Sequence, residues 1–263
     1  MTITARNRII LLGTAFIVGL TAVFLIAFSF LLRTAPATAL DFDNQASLAP
    51  FALAILCELI FCTTTIVVLY FSFRKTASAE IFLFILFLVS MSFDSLKTLH
   101  IVFEVADVPP YYGTIVTRVI LFGRFFGVLC IFGCGLFSTG MHYERLEIVL
   151  VSGVLLATAL SATLPIDMTH LETNFIMPTA YSREIAFVTL VLYLLALGHF
   201  ILAAVQSGNK NYLLICGGMG LTIIGREMLF YRSDGLSLIV AFVLLITGST
   251  LFSERTHEMY LWA

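Results

Sequence analysis

The chain has 263 residues, of which 60% are hydrophobic and only 11% are charged. Its mean hydropathy of +1.05 implies more apolar surface than one soluble core can bury, because a soluble domain of this size still exposes much of its area to water. Soluble classes are therefore excluded, and the formal net charge of −2 offers no basic surface for nucleic acid.

Apolar stretches long enough to cross a bilayer, which takes about 20 residues, recur along the whole chain. The sequence predicts eight such helices, at residues 9–32, 49–73, 80–104, 114–138, 146–165, 184–206, 212–230 and 236–253. The last two are short and lie close together, so the expected number is seven to eight. We predict an all-α, polytopic membrane helix bundle that forms one domain over residues 1–263, without a soluble domain.

Positive charges at the helix ends predict the orientation, because Lys and Arg accumulate in short cytoplasmic loops. Seven of them share one set of ends: Arg6, Arg8, Arg74, Lys75, Arg145, Lys210 and Arg255. Three lie at the opposite ends: Arg33, Arg183 and Arg232. This asymmetry predicts a multi-pass protein of the cell (cytoplasmic or inner) membrane with both termini in the cytoplasm. The longer loops, 33–48 and 166–183, are then extracytoplasmic.

Small residues within the spans indicate close packing of helices. Gly123 and Gly127 form a GxxxG pair, which lets two helix backbones approach each other. The seventh span carries a glycine cluster: Gly217, Gly218, Gly220 and Gly225. All five cysteines lie inside apolar stretches, which argues for packing residues rather than a disulfide framework.

Charged and titratable side chains inside the spans are the most informative residues. On the insertion scale a charge at a helix centre costs about 2.5–3.5 kcal/mol, so it normally faces the bundle interior or a wet cavity. The candidates are Glu58, Asp94, Lys97, His100, Arg118, Arg124, Arg226 and Glu227. At 1.5 Å per residue, Glu58, Asp94 and Arg124 lie roughly 14–15 Å from the external helix ends, near the midplane. The others are shallower, on the same half.

This shared depth predicts a polar pocket between the second, third, fourth and seventh helices, wide to the outside and closed below the midplane. In the third helix, Asp94, Lys97, His100 and Glu104 recur at intervals of three or four residues and therefore share one face.

Arginine on the fourth helix suggests the kind of ligand. The planar fork of Arg124 suits a carboxylate or a phosphate. We expect it to bind Glu58 or Asp94 at rest and an anionic ligand in use. Arg118 and Arg226, nearer the mouth of the pocket, are then the first contacts for such a ligand.

Catalytic and metal-binding motifs do not emerge from the sequence. It contains no HExxH or GxSxG motif, no P-loop and no dinucleotide fingerprint. We therefore predict no metal site and no catalytic residue, expect a protein that is not an enzyme, and leave any cofactor unknown.

These features favour an integral membrane binding module, either a sensor-type receptor or an auxiliary subunit of a membrane complex. Its extracytoplasmic pocket would take a small anionic ligand or a lipid headgroup. Besides the lipid bilayer, the expected partner is a membrane protein that contacts the charged C-terminal tail, residues 253–258.

Three alternatives remain open. The first is a transporter or proton-coupled carrier in which Glu58 or Asp94 titrates near the midplane. The second is a membrane-embedded enzyme that modifies lipids with Asp94 and His100 as acid and base. The third is a structural subunit whose intramembrane charges only neutralise one another.

Overall fold

The computed structural model describes residues 3–34, 41–42, 46–73, 78–168, 170–172, 174–231 and 235–261. Its α-helices are α1 (Ile3–Thr34), α2 (Leu48–Phe73), α3 (Ala79–Met91), α4 (Lys97–Val105), α5 (Pro110–Ser138), α6 (Leu146–Thr163), α7 (Ser182–Ser207), α8 (Asn211–Tyr231) and α9 (Gly235–Leu261). Within the described residues, eight helical segments are long and apolar enough to cross a membrane, with α3 and α4 together forming one of them. The prediction of an all-α, multi-pass bundle is confirmed.

The third span is not the single helix that the sequence predicts. A short 3₁₀-helix, Ser92–Leu96, separates α3 from α4. The hydroxyl groups of Ser92 and Ser95 donate to backbone carbonyls three residues earlier, at 2.7 Å in both cases, and such bonds compete with regular α-helical pairing. Side chains three residues apart eclipse each other in 3₁₀ geometry, so the turn places Asp94 directly beside Lys97.

Contacts between distant segments define the two ends of the bundle. Nη2 of Arg6 donates to the backbone oxygen of Phe73 at 2.9 Å, and the ring centroids of Phe73 and His257 lie 5.2 Å apart. The start of α1 and the ends of α2 and α9 therefore meet at one end, which we call the terminal end. The opposite end, the distal end, carries the two-residue strands Asp41–Phe42 and Ala46–Ser47. Which end faces the cytoplasm stays a prediction.

The third span and α5 form the centre of the bundle. Of their most apolar windows, 78% and 72% of the residues are buried, against 22% or less in α1, α6 and α7. The GxxxG pair lies at this central contact, since a Cβ atom added to Gly123 would come within 2.7 Å of the Phe93 Cβ. Residues carried by α3, α4 and α5 are thus the ones most removed from lipid.

Two glycines of α8 allow a second close approach, to α9. A Cβ atom at Gly218 would lie 2.8 Å from the Phe252 nitrogen, and one at Gly225 would lie 2.8 Å from the Ala241 oxygen. The backbones of α8 and α9 are therefore in direct contact. This packing fixes α8, whose residues 226–231 contribute to the site described next.

Candidate functional site

A group of charged side chains from four spans gathers inside the bundle, and we call it the polar cluster. Its members are Glu58, Asp94, Lys97, Arg124, Arg226 and Glu227. Five of them are between 1% and 5% exposed, and the Glu227 side chain is 24% exposed. Acids and bases are equal in number, so the formal charge of the polar cluster is zero. The sequence analysis expected all eight candidates in one pocket, and the structure brings six of them together, without His100 and Arg118.

One part of the polar cluster, the paired half, is organised around Glu227. Its Oε2 accepts a hydrogen bond of 3.0 Å from Nη2 of Arg124. Its Oε1 accepts bonds from Nη1 of Arg226 at 3.1 Å and from the hydroxyl of Tyr193 at 2.8 Å. Nη2 of Arg124 also donates to the Tyr231 hydroxyl at 2.6 Å. The paired half therefore comprises Arg124, Tyr193, Arg226, Glu227 and Tyr231.

The partner of Arg124 differs from the one that we expected. Its guanidinium binds Glu227 rather than Glu58 or Asp94, and it stacks on aromatic rings at the end of α8. The guanidinium carbon lies 4.1 Å from the centroid of the Phe230 ring and 4.7 Å from that of Tyr231. Cation–π contacts of this length stabilise a desolvated charge by roughly 1–2 kcal/mol.

Phe230 also contacts the other part of the polar cluster, because Lys97 lies against the same ring. The Lys97 ammonium is 4.2 Å from the ring centroid and donates to the Phe230 backbone oxygen at 3.3 Å. That oxygen belongs to the last turn of α8, where carbonyl groups lack helical partners and attract cations. Lys97 therefore joins α4 to α8.

The second part, the open half, comprises Glu58, Asp94 and Lys97 and meets the paired half at Arg226. Nζ of Lys97 lies 3.7 Å from Oδ2 of Asp94. Within the described part of the chain, Oε1 of Glu58, Oδ1 of Asp94 and both Nε and Nη2 of Arg226 are buried and lack a hydrogen-bond partner. Nε of Arg124 is also buried and also lacks a hydrogen-bond partner. The charges of Glu58 and Asp94 nevertheless act on Arg226, so acceptors and donors lie near one another without being joined.

Unsatisfied groups of this kind are costly. A buried donor or acceptor without a partner loses about 1–3 kcal/mol, and more when it is charged. In native proteins such groups are normally satisfied by protein or by ordered water. A polar molecule that bridges these donors and acceptors would relieve the cost.

A small cavity lies beside the open half. Glu58, Lys97, Asn174, Phe51 and Phe230 are among its walls, and its volume is about 20 Å³. A space of this size holds roughly one water molecule. Any larger ligand therefore requires one of the walls to move.

A loop segment, residues 174–177, contributes Asn174 to the walls of the cavity, and we call this segment the plug. All four residues are buried, although they belong to a connection between helices. The ring of Phe175 lies 4.5 Å from that of Phe51, and its φ of +59° is in the left-handed region, which costs a bulky residue roughly 1–2 kcal/mol. The cavity at this place measures only about 20 Å³, so the described residues show no wide mouth here, and whether this end faces outside stays a prediction.

Toward the terminal end, the side of α2 below Glu58 is apolar. Cys62, Ile66 and Leu69 follow Glu58 at helical spacing and are at most 1% exposed. These residues belong to the main hydrophobic core. On this side of α2 the site is therefore bounded by packed side chains.

His100 and Arg118 lie outside the polar cluster. Nε2 of His100 is 3.1 Å from the Thr117 hydroxyl. Nη1 of Arg118 donates to the backbone oxygens of Ser161, at 3.2 Å, and Ala162. Those carbonyls form the end of α6, and binding them satisfies groups that a helix terminus leaves free. Ligand binding by either residue stays a prediction without support from their positions.

Sequence reasoning missed Tyr193, Tyr231 and Asn174. Tyr193 lies in the middle of α7, where a buried phenol needs a polar partner. This requirement was a signal that a neighbouring helix carries a polar or charged group facing Tyr193. Asn174 Nδ2 donates to Oε2 of Glu172 at 3.2 Å, and its position in a loop gave no such signal.

A larger groove runs between α2 and α9, with a volume of about 1150 Å³. Its lining is mainly apolar, and Leu53, Ile60 and Ile239 on its walls are more than half exposed. Ala54 lines both this groove and the small cavity. The groove therefore approaches the open half from the side of the bundle that would face lipid.

Among the described residues, no group of three or more His, Cys, Asp or Glu side chains is arranged to hold a metal ion. No protein-family model matches the chain, and no curated protein matches its sequence.

Proposed function

We propose that this protein is a membrane-embedded binding module that receives a small charged ligand in the open half of the polar cluster. The observation that carries the proposal is the set of buried, unsatisfied atoms on Glu58, Asp94 and Arg226. They supply acceptors and donors in one place, and a ligand that uses both would recover a cost of about 1–3 kcal/mol for each atom.

A purely structural role explains the paired half better than the open half. Glu227 binds two guanidinium groups and a phenol, which is what a structural ion pair requires. Buried charges that only hold helices together gain little unless their remaining polar atoms are also satisfied. Glu58 and Asp94 do not meet that condition, which supports a role for them beyond packing.

A transporter is less well supported than a binding module. Transport through the site would need polar groups that continue from Glu58 toward the terminal end. The side of α2 below Glu58 instead carries Cys62, Ile66 and Leu69, all deeply buried. A site that is closed toward the terminal end suits a receptor or an auxiliary subunit.

A lipid-modifying enzyme is also less well supported. That reading requires Asp94 and His100 to act together as acid and base. Asp94 pairs with Lys97, whereas His100 contacts Thr117. The two side chains therefore serve different neighbours.

Binding at the distal end could reach a partner through α9. This helix extends to Leu261, and its last turns carry an ion pair between Arg255 and Glu258 at 2.7 Å. His257 packs against the end of α2, the helix that carries Glu58. We propose that a membrane protein contacts this charged tail.

Ligand-dependent thermal stabilisation of the purified protein tests the proposal. The five native cysteines are free and lie within the spans, so a fluorogenic thiol reagent reports unfolding. We expect at least one compound from a panel of small carboxylates, phosphates, amines and zwitterions to raise the midpoint in the wild type. Glu58→Gln and Arg226→Gln should each abolish the shift.

Matched controls change the same charges elsewhere. Glu104 and Arg183 are exposed, so Glu104→Gln and Arg183→Gln should leave the shift intact. A panel without any stabilising compound, or a shift that survives both site variants, would contradict the proposal.

A further inference from the structure

Counted by formal charge, the two halves of the polar cluster have opposite signs. In the paired half, two guanidinium groups face one carboxylate, Glu227, which leaves one positive charge. In the open half, two carboxylates face the ammonium of Lys97, which contacts Asp94, and this leaves one negative charge. The site is therefore neutral as a whole but divided into a positive and a negative side.

The unsatisfied atoms follow the same division. On the positive side, Nε and Nη2 of Arg226 form a free guanidinium edge, the geometry that binds a carboxylate or a phosphate through two hydrogen bonds. On the negative side, Oε1 of Glu58 and Oδ1 of Asp94 are free acceptors. All three side chains are at most 4% exposed, so none of these atoms is satisfied by bulk water.

We infer that the ligand of the open half is a small zwitterion, with its anionic group on the free edge of Arg226 and its ammonium group on Glu58 and Asp94. This inference rests on the proposed binding function and names its ligand class. A simple anion would leave the two carboxylate oxygens unsatisfied, and a simple cation would leave the guanidinium edge unsatisfied. A zwitterion satisfies both sides and leaves the total charge of the site unchanged.

Two sources could present the same chemistry. A free zwitterion such as an amino acid would enter from the distal end after the plug moves, because Asn174 forms a wall of the cavity. A zwitterionic lipid headgroup would instead arrive from the groove between α2 and α9, past Ala54, which lines both spaces.

The test compares whole zwitterions with their charged parts. The full-length protein is placed in nanodiscs of phosphatidylglycerol, which contain no zwitterionic lipid. Equilibrium binding and thermal midpoints are measured with glycine, acetate and methylamine, and with phosphoethanolamine, phosphate and ethanolamine. We expect at least one whole zwitterion to bind about tenfold more tightly, or better, than either of its parts, because each part leaves one side of the site unsatisfied.

A second experiment tests the lipid headgroup as the source. Part of the phosphatidylglycerol is replaced with phosphatidylethanolamine, and the soluble compounds are omitted. A raised midpoint in the wild type, with no binding of the free zwitterions, supports the inference and identifies a headgroup as the source. Binding of a free zwitterion identifies a soluble ligand.

Variants show whether the binding uses the proposed atoms. Glu58→Gln and Arg226→Gln should each weaken zwitterion binding by about tenfold or more, whereas Glu104→Gln and Arg183→Gln should not. Arg226→Lys keeps the charge without the fork, so it provides a second variant if Arg226→Gln does not fold. It should bind more weakly than the wild type.

The outcomes separate this inference from the proposed function. If phosphate or acetate alone binds as tightly as the whole zwitterion, and Arg226→Gln abolishes that binding, the ligand class is wrong while the binding function stands. If neither the soluble compounds nor the lipid show an effect that depends on Glu58 and Arg226, both are wrong.

Discussion

The hydroxyl of Tyr193 lies 2.8 Å from Oε1 of Glu227, the same oxygen that accepts a hydrogen bond from Arg226. The other oxygen of Glu227 binds Arg124. One carboxylate therefore joins α5, α7 and α8. Its charge opposes two guanidinium groups, so its removal affects more than one contact.

We predict that Glu227→Gln lowers the free energy of unfolding by roughly 2–4 kcal/mol, because it leaves two buried guanidinium groups opposite a neutral amide. Tyr193→Phe removes one hydrogen bond from a carboxylate that keeps its other partners, and should cost about 1 kcal/mol. Unfolding in detergent, followed by cysteine exposure, measures both. Equal effects of the two variants would show that Glu227 does not organise the paired half.

The glycines of α8 should differ in their sensitivity to substitution. Alanine at Gly218 or Gly225 places Cβ 2.8 Å from a backbone atom of α9, and we expect each to destabilise the protein by about 1–3 kcal/mol. At Gly217 and Gly220 an added Cβ meets no atom closer than 4.0 Å. Alanine there should be neutral, or stabilising by up to about 1 kcal/mol through its helix propensity.

Thermal midpoints of the four alanine variants provide the measurement. Similar midpoints for all four would contradict the close approach of α8 and α9.

The plug should control access to the open half. Phe175→Ala removes the ring that packs on Phe51, and such truncations cost about 3–5 kcal/mol in a packed site. The labelled site is a cysteine at Ile55, a wall of the cavity, in a protein without its native cysteines. We expect this cysteine to react with an impermeant thiol reagent at least about tenfold faster when the plug carries Phe175→Ala. A cysteine at Leu53, which is 61% exposed, should react at an unchanged rate, and an unchanged rate at residue 55 would argue against the plug.

Arg118 offers a test of an expectation from the sequence. Its bonds to the end of α6 predict that Arg118→Ala lowers stability by about 1–3 kcal/mol without changing the affinity for glycine or phosphoethanolamine, whichever binds. Weaker binding in this variant would restore Arg118 as a ligand contact.

The orientation can be checked with reporter fusions. A fluorescent protein after residue 263 should fluoresce, because it stays in the cytoplasm, and alkaline phosphatase fused after residue 168 should be active outside. The reverse pattern would invert the topology and place the polar cluster on the cytoplasmic half.

The sequence predicted the eight spans and the gathering of Glu58, Asp94 and Arg124, because apolar length and depth along a helix can be counted from residue numbers. It could not predict the partner of Arg124, since depth says nothing about which neighbouring helix a side chain faces. Arg118 shows the same limit, because it lies about 1.7 turns from Arg124 and faces the end of α6 instead of α8.

The plug was missed for a different reason. Its neighbours Asp167, His170 and Glu172 make the loop polar on average, and this average hides the apolar run Phe175–Ile176–Met177. Polar composition predicts exposure for a whole segment, but three consecutive apolar residues within it can still pack against helix ends.

The 3₁₀-helix at Ser92–Leu96 determines how the side chains of α4 are rotated around the axis of the third span. A 3₁₀ residue advances about 120° around the axis and an α residue about 100°, so five residues add roughly 100° of twist and about 2.5 Å of length. If this segment relaxed to α geometry, α4 would turn by a quarter revolution or more relative to α3, and the angle between Asp94 and Lys97 around the axis would change by about 60°. The conformation of these five residues therefore determines in which direction the side chains of α4 point.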